Sequence, residues 1–357
     1  MAATFPSPVL RTLQDIVHQD FKENQDSEGK YIGGMIDVLS TQNRFLSDMV
    51  YRPANFGLDK YKHKIVTSYP KTYWARYGRG VPPSKGSFAM VEETCGKLKS
   101  ACQVEKEMAD DQGSAGGRNQ LILETEQLHM KALAQDMTKY MFYGDRLVTP
   151  EAFDGLSVRY NTLSQDEPTA KNVIDCGGTG PNLTSIWLVA WGVGCHAFYP
   201  TFGNVGIQTD RRIRDLPDPE GYPIAHYYTE FKWQLGLAIP DWRKVVRLCN
   251  VDVDALRAGQ GIGEPDMTKP GNMSLLVRLI QAVGLLNGAR DPGDRVAFYM
   301  NEDAMNGLRI LATRENAKVV RFETTSNVFG EPDYMSVYGV PCHQVDALSS
   351  QEKRVVA

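Results

Sequence analysis

Two dipeptides, Cys195-His196 and Cys342-His343, pair the side chains most used to bind zinc or to act as nucleophile and base. Both sit in runs with strand character, where adjacent side chains point to opposite faces, so neither pair closes on one ion. The six histidines show no HxxxH spacing and the six cysteines no CxxC. Two glycine-rich stretches, DCGGTGPN (175–182) and GQGIGEP (259–265), offer backbone N–H groups to a phosphate. Neither ends in Lys-Ser/Thr, and neither lies in a strand–GxGxxG–helix frame. No GxSxG elbow is present. The pairs Asp110-Asp111 and Glu92-Glu93 read as solvated charge rather than as acid/base dyads. The residues point to no catalytic, cofactor or metal site. Only an active site assembled from distant positions would escape this reading.

The totals narrow the class further. The chain has 357 residues, enough for two or three lobes, with 42% hydrophobic and 23% charged residues, near the globular average. A net charge of −4 lacks the basic field of a nucleic-acid-gripping protein. The opening residues show no basic start followed by an apolar core, which argues against a secretory leader. The greasiest run, SIWLVAWGVGCHAFYP (185–200), is too short to span a membrane. Its alternate residues are apolar on both sets, as expected of a strand buried on both faces. Six scattered cysteines fit reduced thiols.

The remaining patterns describe elements. Residues 1–58 read as an arm with helical pieces, among them Leu10, Leu13, Ile16 and Val17, too little apolar surface to close a core. Residues 59–96 read as a long hairpin around YGRGVPPSKG, amphipathic on both sides and so unable to lie mid-sheet. The spacing predicts a long helix over about 118–143, with Leu121, Leu128, Met130, Leu133, Met137, Tyr140 and Met141 on its apolar side and Glu126 on its polar side. YYTEFKWQLGLAI alternates with period two and predicts a long strand. Trp242, Val245, Val246 and Cys249 then fall at helical spacing. Residues 252–330 alternate helix, strand and helix, with Asn301 as a cap, and describe a compact α/β lobe.

This order of elements resembles the major capsid proteins of tailed bacteriophages, which have the Hong Kong 97 fold. RYGRGVPPSK looks like that family's E-loop tip, and NQLILETEQLHMKALAQDMTKYMFYGD looks like its spine helix. The block from SIWLVAWGVGCHAFYP through YYTEFKWQLGLAIPDWRKVVRLCNVD is similar to a branch known from short-tailed phages. SLLVRLIQAVGLLNG and RVAFYMNEDAMNGLRIL resemble axial-domain helices and strand.

The resemblance implies an α+β Hong Kong 97-like fold with N-terminal arm (1–58), E-loop hairpin (59–96), peripheral domain with spine helix (97–182), axial domain (252–330), and return strands to the peripheral domain with the C-terminus (331–357). Residues 183–251 form a β-rich platform or insertion between them. It implies a shell protein that assembles with itself as pentamers and hexamers around packaged double-stranded DNA held only non-specifically. Portal, scaffold and decoration or cement proteins are its candidate partners. The implied place is the virion, with assembly in the host cytoplasm, no membrane and no cofactor. An encapsulin-like compartment shell of the same fold is the alternative, and an enzyme with a scattered site a more distant one. Tyr69, Tyr73, Trp74, Arg76, Tyr77, Arg79 and Lys85 on the hairpin, with Leu10, Leu13, Ile16 and Val17 on the arm, are the candidate inter-subunit contacts. Some members cross-link the hairpin covalently. Lys71 and Lys85 flank the tip here, but nothing in the sequence supplies the partner Asn or acid.

Overall fold

The computed structural model describes residues 44–111, 115–164, 166–202, 206–217, 221–257, 275–314, 320–323 and 334–356. Most of the arm, including Leu10, Leu13, Ile16 and Val17, lies outside the described residues.

The chain opens with helix α1 (Arg44–Asp48) and strands β1 (Tyr51–Pro53), β2 (Lys60–Ser68), β3 (Ser87–Thr94) and β4 (Gly96–Glu105). Helices α2 (Lys106–Asp110), α3 (Ala115–Tyr143) and α4 (Leu156–Arg159) follow. Then come β5 (Val173–Asp175), β6 (Leu183–Trp191), β7 (His196–Tyr199), β8 (Gln208–Pro217), β9 (Pro223–Ala238) and β10 (Val245–Asp252). The last part holds α5 (Val253–Arg257), α6 (Leu275–Asn287), β11 (Arg295–Met300), α7 (Glu302–Arg314), β12 (Val320–Glu323), β13 (Tyr334–Val337) and β14 (Val340–Gln344).

Two large sheets organise these elements. One has seven strands in the order β12-β13-β14-β11-β6-β10-β5. The other runs β1-β7-β9-β4, with β8 also paired to β9. Residues 183–251 therefore serve both, β6 and β10 in the first and β7, β8 and β9 in the second.

Strand β6 explains the greasy run. It lies between β10 and β11, with Leu188 opposite Val246 and Phe298, and all nine of its residues are buried. Ile186, Leu188 and Ala190 join the core under α6 and α7, with Leu279, Val283 and Leu308. Trp187, Val189 and Trp191 join the other core, with Phe45, Met137, Met141 and Phe142. One strand walls two cores over its stretch Ile186–Trp191, where all six residues are apolar; the buried Ser185 near its start is tolerated because its hydroxyl donates to Glu352 and accepts from Arg247. Each fully buried large side chain there contributes about 1.5–3 kcal/mol.

Strand β10 corrects the helical spacing read over residues 242–249. Only Trp242–Lys244 make a short 3-10 turn, and Val245–Asp252 pair with β6. A strand buried on both faces loses its period-two signature, so a helical spacing arises by chance. The β-branched Val245, Val246 and Val251 suit the extended backbone.

Helix α3 begins at Ala115, ahead of the expected start. Met130, Leu133, Met137 and Met141 are buried at helical spacing. Leu128 is exposed and Glu126 is fully buried, the reverse of the sequence reading. Glu126 precedes Met130 by four residues and so shares its face, whereas Leu128 points away. The facing sheet pairs the carboxylate: Arg211 Nε (2.9 Å) and Thr229 Oγ1 (2.8 Å) both donate to it. At the head of α7, Asn301 Oδ1 accepts the Ala304 N–H (2.9 Å), which is the cap read from the sequence.

Candidate assembly surface

The hairpin is fixed at its root. β2 and β3 pair antiparallel from Lys60 opposite Thr94 to Ser68 opposite Ser87. Asn55 clasps the edge of β2 in both directions, donating to Lys62 O (2.8 Å) and accepting from Lys62 N (2.7 Å). Tyr61 packs on Phe198 at 5.5 Å between centroids and meets the buried His196 edge-on at 4.8 Å. Glu93, read from the sequence as solvated charge, is buried and bound by both terminal nitrogens of Arg159. It lies on the hairpin face turned toward the body, whereas Glu92 sits on the other face with Lys60 and Lys62. That hydrogen bond to Lys60 holds the Glu92 carboxyl below its ordinary range.

Beyond Ser68 and Ser87 the strands end, and residues 69–86 form the tip. Ser84 Oγ donates to Lys71 O (2.7 Å) across it, and Gly78 takes a positive φ of 82° at its turn. The tip gathers every hairpin residue singled out from the sequence: Tyr69, Tyr73, Trp74, Arg76, Tyr77, Arg79 and Lys85 are all exposed. Trp74 and Tyr77, at 102% and 108% relative exposure, bury nothing against their own chain. Lys71 is exposed as well.

Two further apolar features escaped the sequence reading. On the hairpin stem, Val66, Phe88 and Met90 are exposed on one face. The signal was there: Val66 pairs with Phe88, so their alternation with His63, Ile65 and Val91 marks a second apolar face. After α3, Leu147 and Val148 stand in solvent at the tip of a turn.

Among the described residues no group of three His, Cys, Asp or Glu side chains is arranged to hold a metal ion, and no helix is long and apolar enough to cross a membrane. Burial drives the thiols of Cys95, Cys249 and Cys342 up to about 12, which keeps them in the unreactive thiol form.

A family model for the major capsid protein GP7 matches residues 26–356. The chain belongs to that family. No curated protein matches the sequence. Among solved structures, the chain is similar to a protein of bacteriophage Epsilon15 at 24% identity, covering 99% of each chain with a TM-score of 0.62. It is also similar to the bacteriophage JBD30 capsid at 11% identity, covering 85% of this chain and 90% of that one with a TM-score of 0.44. The fold is α+β and Hong Kong 97-like, as the order of elements implied. As a member of the major capsid protein GP7 family, the protein is a structural component of a phage head shell, built with copies of itself into the virion.

Proposed function

We propose that the chain forms pentamers and hexamers that close into an icosahedral head shell around the phage genome. The observation that carries this reading is the hairpin tip, where Trp74 and Tyr77 stand fully in solvent beside Arg76 and Arg79. Tyr, Trp and Arg dominate interface hot spots, and side chains that bury nothing in their own subunit are free to bury against another. Tyr69, Tyr73 and Lys85 complete the contact, and Leu10, Leu13, Ile16 and Val17 of the arm supply a second one. In this reading the hairpin is the E-loop, α3 the spine helix of the peripheral domain, and residues 252–330, with α6, β11 and α7, the axial domain.

The hairpin's fixed root and bare tip suit a lever that reaches a neighbour at several angles. The net charge of −4 disfavours adhesion of packaged DNA to the wall, so DNA contacts are non-specific. Assembly takes place in the host cytoplasm, with portal, scaffold and decoration or cement proteins as candidate partners. Cryo-electron microscopy of particles formed by the expressed chain tests the capsomer claim. Fivefold and sixfold rings of this chain are expected. Shells built from any other ring, or from chains whose hairpin tips touch no neighbour, would overturn it.

A further inference from the structure

The hairpin stands on a small apolar foot, separate from the two large cores. Ala54, Phe198 and Ala238 form it, with Tyr61 and Cys95 packed against them. A cluster this small opens locally at lower cost than the cores on either side of β6, which hold the body together. Tyr61 links two buried histidines to the foot. It meets the His196 ring edge-on and lies 6.4 Å from the His63 ring, centroid to centroid. His63 sits on β2 opposite Val91, and His196 opens β7 with no exposure at all.

Both rings are short of partners. Neither nitrogen of His196 is hydrogen-bonded among the described residues, nor is Nδ1 of His63. The Val193 backbone approaches His196, outside hydrogen-bond geometry. Such groups are rare in folded chains, because an unpaired buried polar atom forgoes the hydrogen bond that water would give it. The surrounding charges oppose a proton on either ring. Arg52 of β1 and His63 face His196, while Glu93 of β3 and Arg159 of α4 face His63. Glu93 is the carboxylate of this set, and Arg159 already holds both of its oxygens. Asp59 stands by Cys95 instead. His343 differs, since Asp48 lies 3.4 Å from its Nε2 and can take up the charge.

We propose that the hairpin root is a proton-operated hinge: protonation of His63 and His196 lifts the hairpin off its foot while both large cores stay closed. Further positive charge is not tolerated in this site beside Arg52 and Arg159 without a free carboxylate, whereas the lifted hairpin gives both rings to water. Burial, with Arg52 nearby, lowers His196 to about 3, against about 6.5 in water. The folded value of this base is depressed, so the closed hinge is fully stable above about 6.5 and loses stability as the pH falls toward 3. At pH 5 His196 alone shifts the balance toward the lifted form by about thirtyfold. The hinge acts within one subunit and stands whether or not the tip meets a neighbour.

Cys95 reports on the hinge directly. Its Sγ lies in the foot, 3.7 Å from Phe198 O, and is uncovered when the hairpin lifts. The full chain is labelled with 4,4′-dithiodipyridine, which reacts with thiols in acid, and each modified cysteine is identified by peptide mass. Dividing each rate by that of the denatured chain at the same pH gives the open fraction. From pH 7.5 to 5 the Cys95 ratio should rise roughly thirtyfold or more, with little response to low urea. Cys249, in the core beside β6, should stay protected. His196→Leu should cancel most of the rise, and the parent chain alone decides if that variant misfolds. A Cys95 ratio that ignores pH would overturn the hinge, as would Cys95 and Cys249 becoming reactive together.

Discussion

Arg159 and Glu93 face each other in a two-pronged ion pair at the hairpin root, with Nη2 to Oε2 at 2.8 Å. The same guanidinium donates to Asp154 O (3.1 Å) and Leu237 O (3.3 Å). One side chain thus ties the hairpin, the turn after α3 and the end of strand β9 together, and sets the direction in which the tip leaves the body.

Removing one member of this pair strands the other. Arg159→Ala leaves a buried carboxylate uncompensated and should destabilise the subunit by about 3–5 kcal/mol. Urea denaturation measures it, and the double change Arg159→Met with Glu93→Leu should recover part of the loss. A single variant as stable as the parent would show that the hairpin is anchored elsewhere.

The hairpin tip should behave in the opposite way. Trp74→Ala with Tyr77→Ala removes side chains that touch nothing in the subunit, so the melting temperature should stay within the range of a surface change, about 0.5 kcal/mol. Assembly should fail or need much higher protein concentration, as sedimentation of the mixture would show.

Acid should loosen the subunit through its buried histidines. Burial lowers His196 to about 3, against about 6.5 in an unfolded chain, and lowers His63 and His343 as well. Between those values the unfolded chain binds more protons, so stability is full above about 6.5 and falls as the pH drops toward 3. Each such group contributes up to about 1.4 kcal/mol per pH unit. Asp48, whose carboxyl burial raises, works in the other direction at the acid end. Melting curves from pH 7.5 to 5 should show the fall, and His196→Leu should flatten it.

Thiol chemistry offers a check on the cores. Cys102, Cys195, Cys249 and Cys342 are buried, Cys95 and Cys176 partly so, and burial raises all six thiols. A maleimide at neutral pH should label the folded subunit slowly and label all six cysteines rapidly in denaturant. Fast labelling of Cys195 or Cys249 without denaturant would mean that the core around β6 opens.

What the sequence made legible follows from where each residue's partners lie. The hairpin tip could be read because aromatic and basic residues around a Gly/Pro turn have no core to join. The buried strand β6 could be read because both of its faces are apolar. The role of Glu126 could not, since Arg211 and Thr229 lie far along the chain, on the paired strands β8 and β9. Strand β10 was hidden for a related reason: its pairing with β6 is long-range, while periodicity senses only near neighbours. The Leu147–Val148 knob shows only when the turn is folded, because two aliphatic residues in a polar loop carry no sign of which way they face.

The central claim is that this chain builds a shell from copies of itself. Expression of the full chain, followed by size-exclusion chromatography and negative-stain electron microscopy, tests it most directly. Closed shells, tubes or capsomer rings are the expected result. A chain that stays a clean monomer even with the proteins encoded beside it present would contradict the account.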